Sequence, residues 1–432
     1  NGISIPYEEP KFKVAKAGSV LICAEGGSAG KKCGITNRDI CFGNKLYANE
    51  VFHQDLKSEF ILMSFLSPTF FSQFSDSMTG IIGGISMAKF SHLVIAIPPK
   101  EEQQRIVAKV NELMLLCDQL EQQTEDSVNA HATLVEVLLA TLTDSTNADE
   151  LAQNWTRIAE HFDSLFTTEQ SIEALKKTVL QLAVMGKLVP QNPEDETASV
   201  LLEKIAEEKE QLIKEKKIKK PRPIQLINEN DVLFEIPKSW EFTRFESVAH
   251  LISDGAHHTP QYLDEGVPFL SVKDMSNGSL SFEDTRYISI EQHENLCKRC
   301  HPKRGDLLLT KVGTTGIPII IDTDKEFSIF VSVALIKFST DKIYGKYLSA
   351  LIKSPFVYQQ SQDGTQGVGN KNLVLKTISN FILAIPPLAE QHRIVAKVDE
   401  LMAICDQLKE KLQQSQETQV QLTDALVDRA LV

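Results

Sequence analysis

The stretch AIPPKEEQQRIVAKVNELMLLCDQL at residues 96–120 returns as AIPPLAEQHRIVAKVDELMAICDQL at residues 384–408. A spacing of 288 residues lies far beyond the roughly 20–50 residues of solenoid and propeller repeats. Each copy is therefore a domain with its own connecting helix, and two similar domains suggest two similar ligands. The parallel extends upstream. AGSVLICAEGGSAG (17–30) matches RGDLLLTKVGTTG (304–316), and GISI (2–5) matches YISI (287–290). Similar ends around divergent middles predict a shared scaffold with different specificities. Residues matching 240–285 would precede Asn1, where no Met stands, so the first copy is expected to be truncated at its amino end.

Past each IPP, apolar residues step by four and three: Ile106, Val110, Leu113, Cys117 and Leu120, then Ile394, Val398, Leu401, Cys405, Leu408 and Leu412. That is a heptad seam. Continued through Leu134, Leu138 and Leu142, the first seam predicts a helix of about 40 residues, about 60 Å long at 1.5 Å per residue. Paired prolines and the acidic Glu101, Glu102 and Glu390 suit a helix start. Further helices are expected over 148–165 and 169–185, with Gly186 as carboxyl cap. The charged segment 198–220, ending in KEKKIKKPRP, reads as a solvated hinge or a basic tail on DNA backbone. From Trp240 onward, short apolar runs such as VPFLSV, DLLLT and SIFVSVALIKF alternate with turns rich in Gly, Asp, Asn and His, which predicts an α+β domain with an irregular sheet.

With 432 residues, 42% of them hydrophobic, the chain is long enough for two or three cores. No run approaches the roughly 18 apolar residues of a membrane helix, and no signal peptide opens the chain, so a cytoplasmic location is expected. Seven cysteines, an odd number in helix-like and strand-like segments, read as buried reduced thiols rather than a disulfide framework. The net charge of −13 argues at first against nucleic acid, because Lys and Arg supply most non-specific affinity. The acid, however, is concentrated on the helices: residues 99–186 hold six basic and fifteen acidic side chains, whereas 240–387 hold fifteen and sixteen.

Several motifs weigh against catalysis. Residues 297–301, CKRCH, match the spacing of covalent haem attachment but carry no export signal, so they read as coincidence and no metal site is assigned. GGSAGK at 26–31 is one residue short of a phosphate loop, and Lys32 replaces the magnesium-binding hydroxyl. Pro193, Glu194 and Glu207-Glu208-Lys209 fall on a charged helix rather than on the converging strands of a nuclease. No Asp/Asn-Pro-Pro-Tyr/Phe run grips a flipped adenine, and no glycine-rich turn suits S-adenosylmethionine, so methyl transfer needs another subunit.

Other segments carry donors suited to DNA. The loop from Asp254 to Pro260 holds His257, His258 and Thr259, either as a solvated turn or as donors to base edges. Residues 365–372 combine Gln366, Asn370, Lys371 and Asn372 with glycines, and Asn and Gln pair with adenine edges. Lys273, Lys303, Arg304, Lys311, Thr314 and Thr315 are candidate phosphate anchors, with solvated surface as the competing account.

Together the repeated IPP-x-x-EQ-x-RIVAKV-x-EL helix start, the DG-x-H-x-TP-x-Y loop before GVPFL and the GKLVPQ before a charged linker resemble the specificity subunit of type I restriction-modification enzymes. The resemblance covers essentially the whole chain. It implies two target-recognition domains, each reading half of a split DNA target, separated by long helices that form an antiparallel coiled coil. On that basis 1–98 is a partial first recognition domain, 99–186 the central conserved helical region, 187–239 a charged linker, 240–386 the second recognition domain and 387–432 the distal conserved helix. It also implies a non-catalytic chain that binds double-stranded DNA. Two methyltransferase subunits would bring S-adenosylmethionine, joined by restriction and translocase subunits. Glu102, Arg105 and Lys109, with their counterparts Glu390, Arg393 and Lys397, are then the expected docking residues. The alternatives are a coiled-coil scaffold that binds proteins rather than DNA, motivated by the negative charge, and a metal- or haem-dependent enzyme built on Cys297, Cys300 and His301.

Overall fold

The computed structural model describes residues 13–80, 83–220, 225–228, 231–232, 234–366 and 372–431. The chain divides into two units, Asn1–Val128 and Asn129–Val432. The GISI segment lies outside the described residues.

Among the described residues of the first unit all strand pairs are antiparallel. β1 (Lys13–Ala15) pairs with β4 (Ile40–Phe42), and β2 (Val20–Cys23) lies between β3 (Cys33–Ile35) and β5 (Leu46–Asn49). The helices α1 (Ser58–Leu66), α2 (Pro68–Ser77) and α3 (Met87–Phe90) then lead to α4 (Lys100–Asp144). Val20 and Ile22 of the sheet bury against Phe60, Phe65, Phe70, Phe74 and Phe90 of the helices. Each such ring stabilises the fold by roughly 1.5–3 kcal/mol. The chain turns sharply between α1 and α2 because Pro68 needs no partner for an N–H in the first turn, while the Ser67 hydroxyl accepts from Phe70 N at 3.2 Å.

The second unit takes the last turns of α4, then α5 (Ala148–Glu160), α6 (Phe162–Leu165), α7 (Glu169–Val184) and α8 (Ala198–Lys214). β6 (Glu241–Arg244), α9 (Phe245–Val248), β7 (Ala249–Asp254), β8 (Val267–Leu270), β9 (Arg286–Ile288) and α10 (Ile290–Cys297) follow. Next come β10 (Leu307–Thr310), β11 (Pro318–Ile320), β12 (Ser328–Ile329), β13 (Val333–Phe338), α11 (Gly345–Lys353) and α12 (Pro355–Asp363). The chain closes with β14 (Thr365–Gln366), β15 (Asn372–Leu373), α13 (Leu375–Ser379), β16 (Ile382–Ile385) and α14 (Leu388–Leu431). The main sheet runs β11-β10-β13-β7, a second runs β12-β8-β9, and β16 pairs with β6. One continuous core joins Leu307, Leu309, Ala334 and Ile336 to α7, α11 and the start of α14. No helix among the described residues is long and apolar enough to cross a membrane.

The two units share more than the helix start. Gln103 is buried; its amide donates to the carbonyls of Pro98 (2.9 Å) and Asp55 (3.0 Å) and accepts from Lys57 N at 3.0 Å. Gln391 likewise donates to Pro386 O at 3.1 Å and accepts from Tyr344 N at 2.7 Å. The Ser-Pro helix junction recurs at Ser354 and Pro355, where the Ser354 hydroxyl accepts from Val357 N. Gln73 exchanges two hydrogen bonds with the backbone of Val94, both 3.1 Å, and Gln360 does so with Ile382 at 2.8 and 3.1 Å. The duplication thus includes a helical hairpin with the same amide clasps.

The seam of α14 packs on α7. Lys176 meets Asp406 at 2.8 Å and Glu173 faces Lys409 at 4.0 Å. Rising numbers on α7 meet falling numbers on α14, so the pair is antiparallel. The seam of α4 holds its predicted place at Leu142, which is fully buried, but departs from it upstream: Val135 and Leu139 are buried, whereas Leu134 is half exposed. An α-helix of 3.6 residues per turn drifts about 20° per heptad against a 3.5-residue seam. A count in sevens carried over four heptads therefore falls nearly one residue out of step with the helix. Leu113, Cys117 and Leu120 are exposed.

The helical part of the segment 198–220 is packed rather than solvated, and only its charged end from Lys214 to Lys220 is mostly exposed. α8 buries Ala198, Leu201 and Ile205, and Lys209 donates from within to the carbonyls of Glu246 and Ser247. The i, i+3, i+7 spacing sends these side chains to one face and leaves the charges outside. Gly186 ends α7 close to the expected cap position with φ +70°, and a Cβ there would come within 2.4 Å of the Pro237 ring.

Candidate nucleic-acid interface

Antiparallel pairing gathers one end of the main sheet. Asp254, the last residue of β7, faces Ala334; Val333, which opens β13, faces Thr310, the last of β10; Leu309 faces Pro318, the first of β11. Loops leaving these strands therefore emerge together. Asp254 is buried at this end and organises it. Its carboxylate holds Lys311 at 3.1 Å, with both side chains buried, together with His257 Nε2 at 3.0 Å and the half-exposed Arg299 guanidinium. Arg299 also lies 3.0 Å from His257 Nε2. Two cations on one carboxylate leave a local excess of positive charge in an otherwise acidic chain.

The loop after Asp254 lies flat on β12. Ala256 N donates to Ile329 O at 2.9 Å and Val331 N donates to Ala256 O at 3.0 Å. A Cβ on Gly255 would sit 1.9 Å from Ile329 O, so only glycine permits this approach. The result is a cavity of about 340 Å³ lined by Asp254, His257, His258, Asn295, Arg299 and Ile329, among others. His257, His258 and Thr259 are exposed at its rim.

The amide-rich segment reaches the same end. β14 and β15 form a hairpin, Asn372 bridges to Val312, and Leu373 N donates to Lys311 O at 2.7 Å. Thr314 is exposed in the adjoining turn and Thr315 is buried. The Asn372 Oδ1 is buried and has no hydrogen-bond partner among the described residues. Gln366 forms part of β14, while Asn370 and Lys371 lie outside the described residues. Ser332 ties in the Lys273 segment, accepting from Lys311 N at its carbonyl (2.9 Å) and from Val272 N at its hydroxyl (3.2 Å). Lys273 itself is exposed and held by Asp284 at 3.1 Å.

Lys303 and Arg304 stand apart. They precede β10 and so lie at the opposite end of the sheet, where Arg304 pairs with Asp324 at 3.0 Å. Sequence reasoning missed Arg299 and the organising role of Asp254. Both lay inside quoted motifs, Asp254 at the head of the histidine loop and Arg299 within CKRCH. That motif is itself divided: Cys300 is buried in the core, its thiol pushed up to about 11 by burial, whereas Cys297 faces His293.

The docking candidates divide similarly. Arg105 pairs with Glu102, Lys109 with Glu112 and Lys397 with Glu400, all on exposed helix faces. Glu390 is fully buried; it accepts from Trp240 Nε1 at 3.0 Å and from Gln191, and burial pushes its carboxyl above the ordinary range against those two hydrogen bonds. Arg393 binds Asp195 at 2.6 Å, which raises the guanidinium further. Glu390 and Arg393 thus bind this chain's own residues.

The profile described as "Type I restriction modification DNA specificity domain" matches residues 5–130 and 237–417. The EcoAI specificity subunit of Escherichia coli is 37% identical over 419 residues, 95% of this chain and 70% of that one. The EcoEI specificity subunit of Escherichia coli is 37% identical over 401 residues, 90% of this chain and 67% of that one. Among solved structures, a chain from work on "complex assembly and conformational transition of the type I R-M system" shares the fold at a TM-score of 0.52 and 17% identity, covering 98% of this chain and 84% of that one.

Proposed function

Since the chain belongs to the type I restriction-modification DNA specificity family, we propose that it selects a split DNA target, one half of which is read at the Asp254 end of the second unit's sheet. The observation that carries this reading is the convergence there of Arg299, His257 and Lys311 on one buried carboxylate, with Asn372 bridged to Val312 beside Lys311. Arg299, Lys273 and the Thr314 hydroxyl anchor phosphates, which position the protein. His257, His258 and Thr259 reach base edges, which specify the sequence, and the amides of Gln366, Asn370 and Asn372 are assigned the same role. Because Lys311 is buried against Asp254, it fixes the loops from below.

The chain itself carries no chemistry in this reading. Methylation or cleavage is done by partners: two methyltransferase subunits, which bring S-adenosylmethionine, and restriction and translocase subunits. Arg105, Lys109 and Lys397, on exposed helix faces, meet the methyltransferases. These assemblies work in the cytoplasm. The segments 1–98, 99–186, 187–239, 240–386 and 387–432 serve as first reader, central helices, connector, second reader and distal helix. A protein-binding scaffold is set aside by the family membership.

The test is coexpression with the cognate methyltransferase subunit and genome-wide mapping of adenine methylation, for the chain itself and for a replacement of residues 367–372. Methylation at a defined split motif, altered in one half by the replacement, is expected. A stable complex whose methylation pattern is unchanged by the replacement refutes the assignment of this loop, and failure to form a complex refutes the role.

A further inference from the structure

A second cluster lies at the end of α10 and takes no part in the reading just given. His293 and Cys297 are four residues apart on α10 and so share a face, and the chain turns back to bring His301 beside them. The ligand atoms of these three residues all lie within 4.8 Å of one another. His293 Nε2 is 3.5 Å from Cys297 Sγ and 3.4 Å from Glu326 Oε2, which is in turn 2.8 Å from His301 Nε2. We propose that His293, Cys297, His301 and Glu326 form a four-coordinate zinc site.

Three of the ligand separations lie near those the ion sets, and the His293, Cys297 and His301 atoms, now within 4.8 Å of one another, draw in by about 1 Å around it. Zinc bonds of about 2.0–2.1 Å to nitrogen or oxygen and about 2.3 Å to sulfur place tetrahedral ligands roughly 3.3 Å apart, or about 3.6 Å where one is sulfur. Two of the separations already match, and the His301–Glu326 contact opens by about half an ångström to admit the metal. The donor set, two imidazoles with one thiolate and one carboxylate, is of zinc type. The second shell is also in place: the Ser328 hydroxyl lies 2.9 Å from His293 Nδ1, leaving Nε2 for the ion. Cys300, the other thiol of the CKRCH motif, takes no part because it is buried in the core. The sequence reading assigned no metal site, and this proposal assigns one.

The site has a structural consequence. Arg299 lies between the ligands Cys297 and His301, and it holds Asp254 and His257. An ion bound to both flanking residues, and to Glu326 ahead of β12, locks the turn that carries Arg299. The metal braces the segment that presents a DNA-binding cation.

The test uses tag-free full-length chain stripped with chelator and titrated with cobalt(II), then zinc. One equivalent of cobalt is expected to give a thiolate-to-metal charge-transfer band with the intense visible absorption of tetrahedral coordination, displaced by one equivalent of zinc. Cys297→Ser removes the thiolate band, His301→Ala weakens zinc binding at least about tenfold, and Cys300→Ser changes neither. Wild-type protein that takes up no metal at micromolar concentration overturns the proposal, as does a band that survives Cys297→Ser. Because the readout needs no DNA, its failure leaves the reading of the sheet end untouched.

Discussion

Truncating Asp254 to alanine is the most informative single change, because the structure makes the Asp254–Lys311 pair asymmetric. The two side chains are 5% and 7% exposed and 3.1 Å apart. Asp254→Ala strands a buried ammonium whose charged partner is gone, and removing one member of a buried ion pair costs about 3–5 kcal/mol. Arg299 also loses that partner, but its side chain is 56% exposed, so water replaces the contact at a cost of about 0–1 kcal/mol. Lys311→Met has a milder effect. Asp254 keeps Arg299 and His257, and the methionine chain fills most of the space, so a loss of about 1–2 kcal/mol is expected. Adding Lys311→Met to Asp254→Ala removes the stranded charge, and the double variant recovers at least about 1–2 kcal/mol relative to Asp254→Ala. Urea unfolding followed by tryptophan fluorescence measures this directly. Both tryptophans, Trp155 and Trp240, lie in the second unit, so the signal reports that unit's stability. Equal losses for the two single variants, or a double variant worse than either, refute the placement of Asp254 as the organising carboxylate.

Arg299→Ala leaves unfolding within about 0.5 kcal/mol, while the slope of log affinity against log salt, measured with the methyltransferase complex, falls by about one. An unchanged slope excludes a phosphate contact. Gln360→Leu deprives buried Ile382 of two backbone hydrogen bonds and costs about 2–4 kcal/mol. The matching Gln73→Leu, at a clasp open to solvent, costs less than about 1 kcal/mol because water can take over; reversed magnitudes in chemical denaturation count against the burial assigned to the two clasps. Burial raises the folded-state value of Glu390, so the folded chain binds the proton more tightly than the unfolded one. Stability falls as pH rises from the ordinary carboxylate value through the raised one. Glu390→Gln removes that fall, and a parallel pH dependence in both proteins disproves it.

The long helices and the strand-rich character after Trp240 were legible because each is written in periodicity, whereas the antiparallel pairing followed only from the family resemblance. Other features depend on residues distant in sequence. The fate of the repeated glutamate is one case: Glu102 pairs with Arg105 on an exposed face, whereas Glu390 is buried under Trp240, which is 150 positions away. Periodicity marks both as first-turn acids and cannot see the indole. The register of α4 slipped for a geometric reason, since a seam counted in sevens drifts against a helix that turns in 3.6. The quartet at α10 was half visible. The sequence displays Cys297, Cys300 and His301 as neighbours, but folding discards Cys300 to the core and substitutes His293 and Glu326.

The hidden part of the duplication bears most directly on specificity. Ser67, Pro68 and Gln73 correspond to Ser354, Pro355 and Gln360, too few shared letters for a repeat to be read, yet each set builds the same clasp. Beyond each clasping glutamine, a short segment returns to the residues just past the strand of the upstream match. Gly84 bridges to Glu25 in the first unit, and Asn372 bridges to Val312 in the second. Ile85 N donates to Ala24 O at 3.0 Å just as Leu373 N donates to Lys311 O at 2.7 Å. The two loops therefore hang from identical mounts. One contributes Gly80, Gly83 and Gly84, and the other is framed by Gln366 and Asn372. A scaffold that fixes the ends of each loop lets the sequence between them diverge without cost to the core. By this argument the first unit's counterpart of the amide-rich loop is Thr79 to Gly84, a segment whose plain glycine and isoleucine composition gave the sequence reading no reason to single it out.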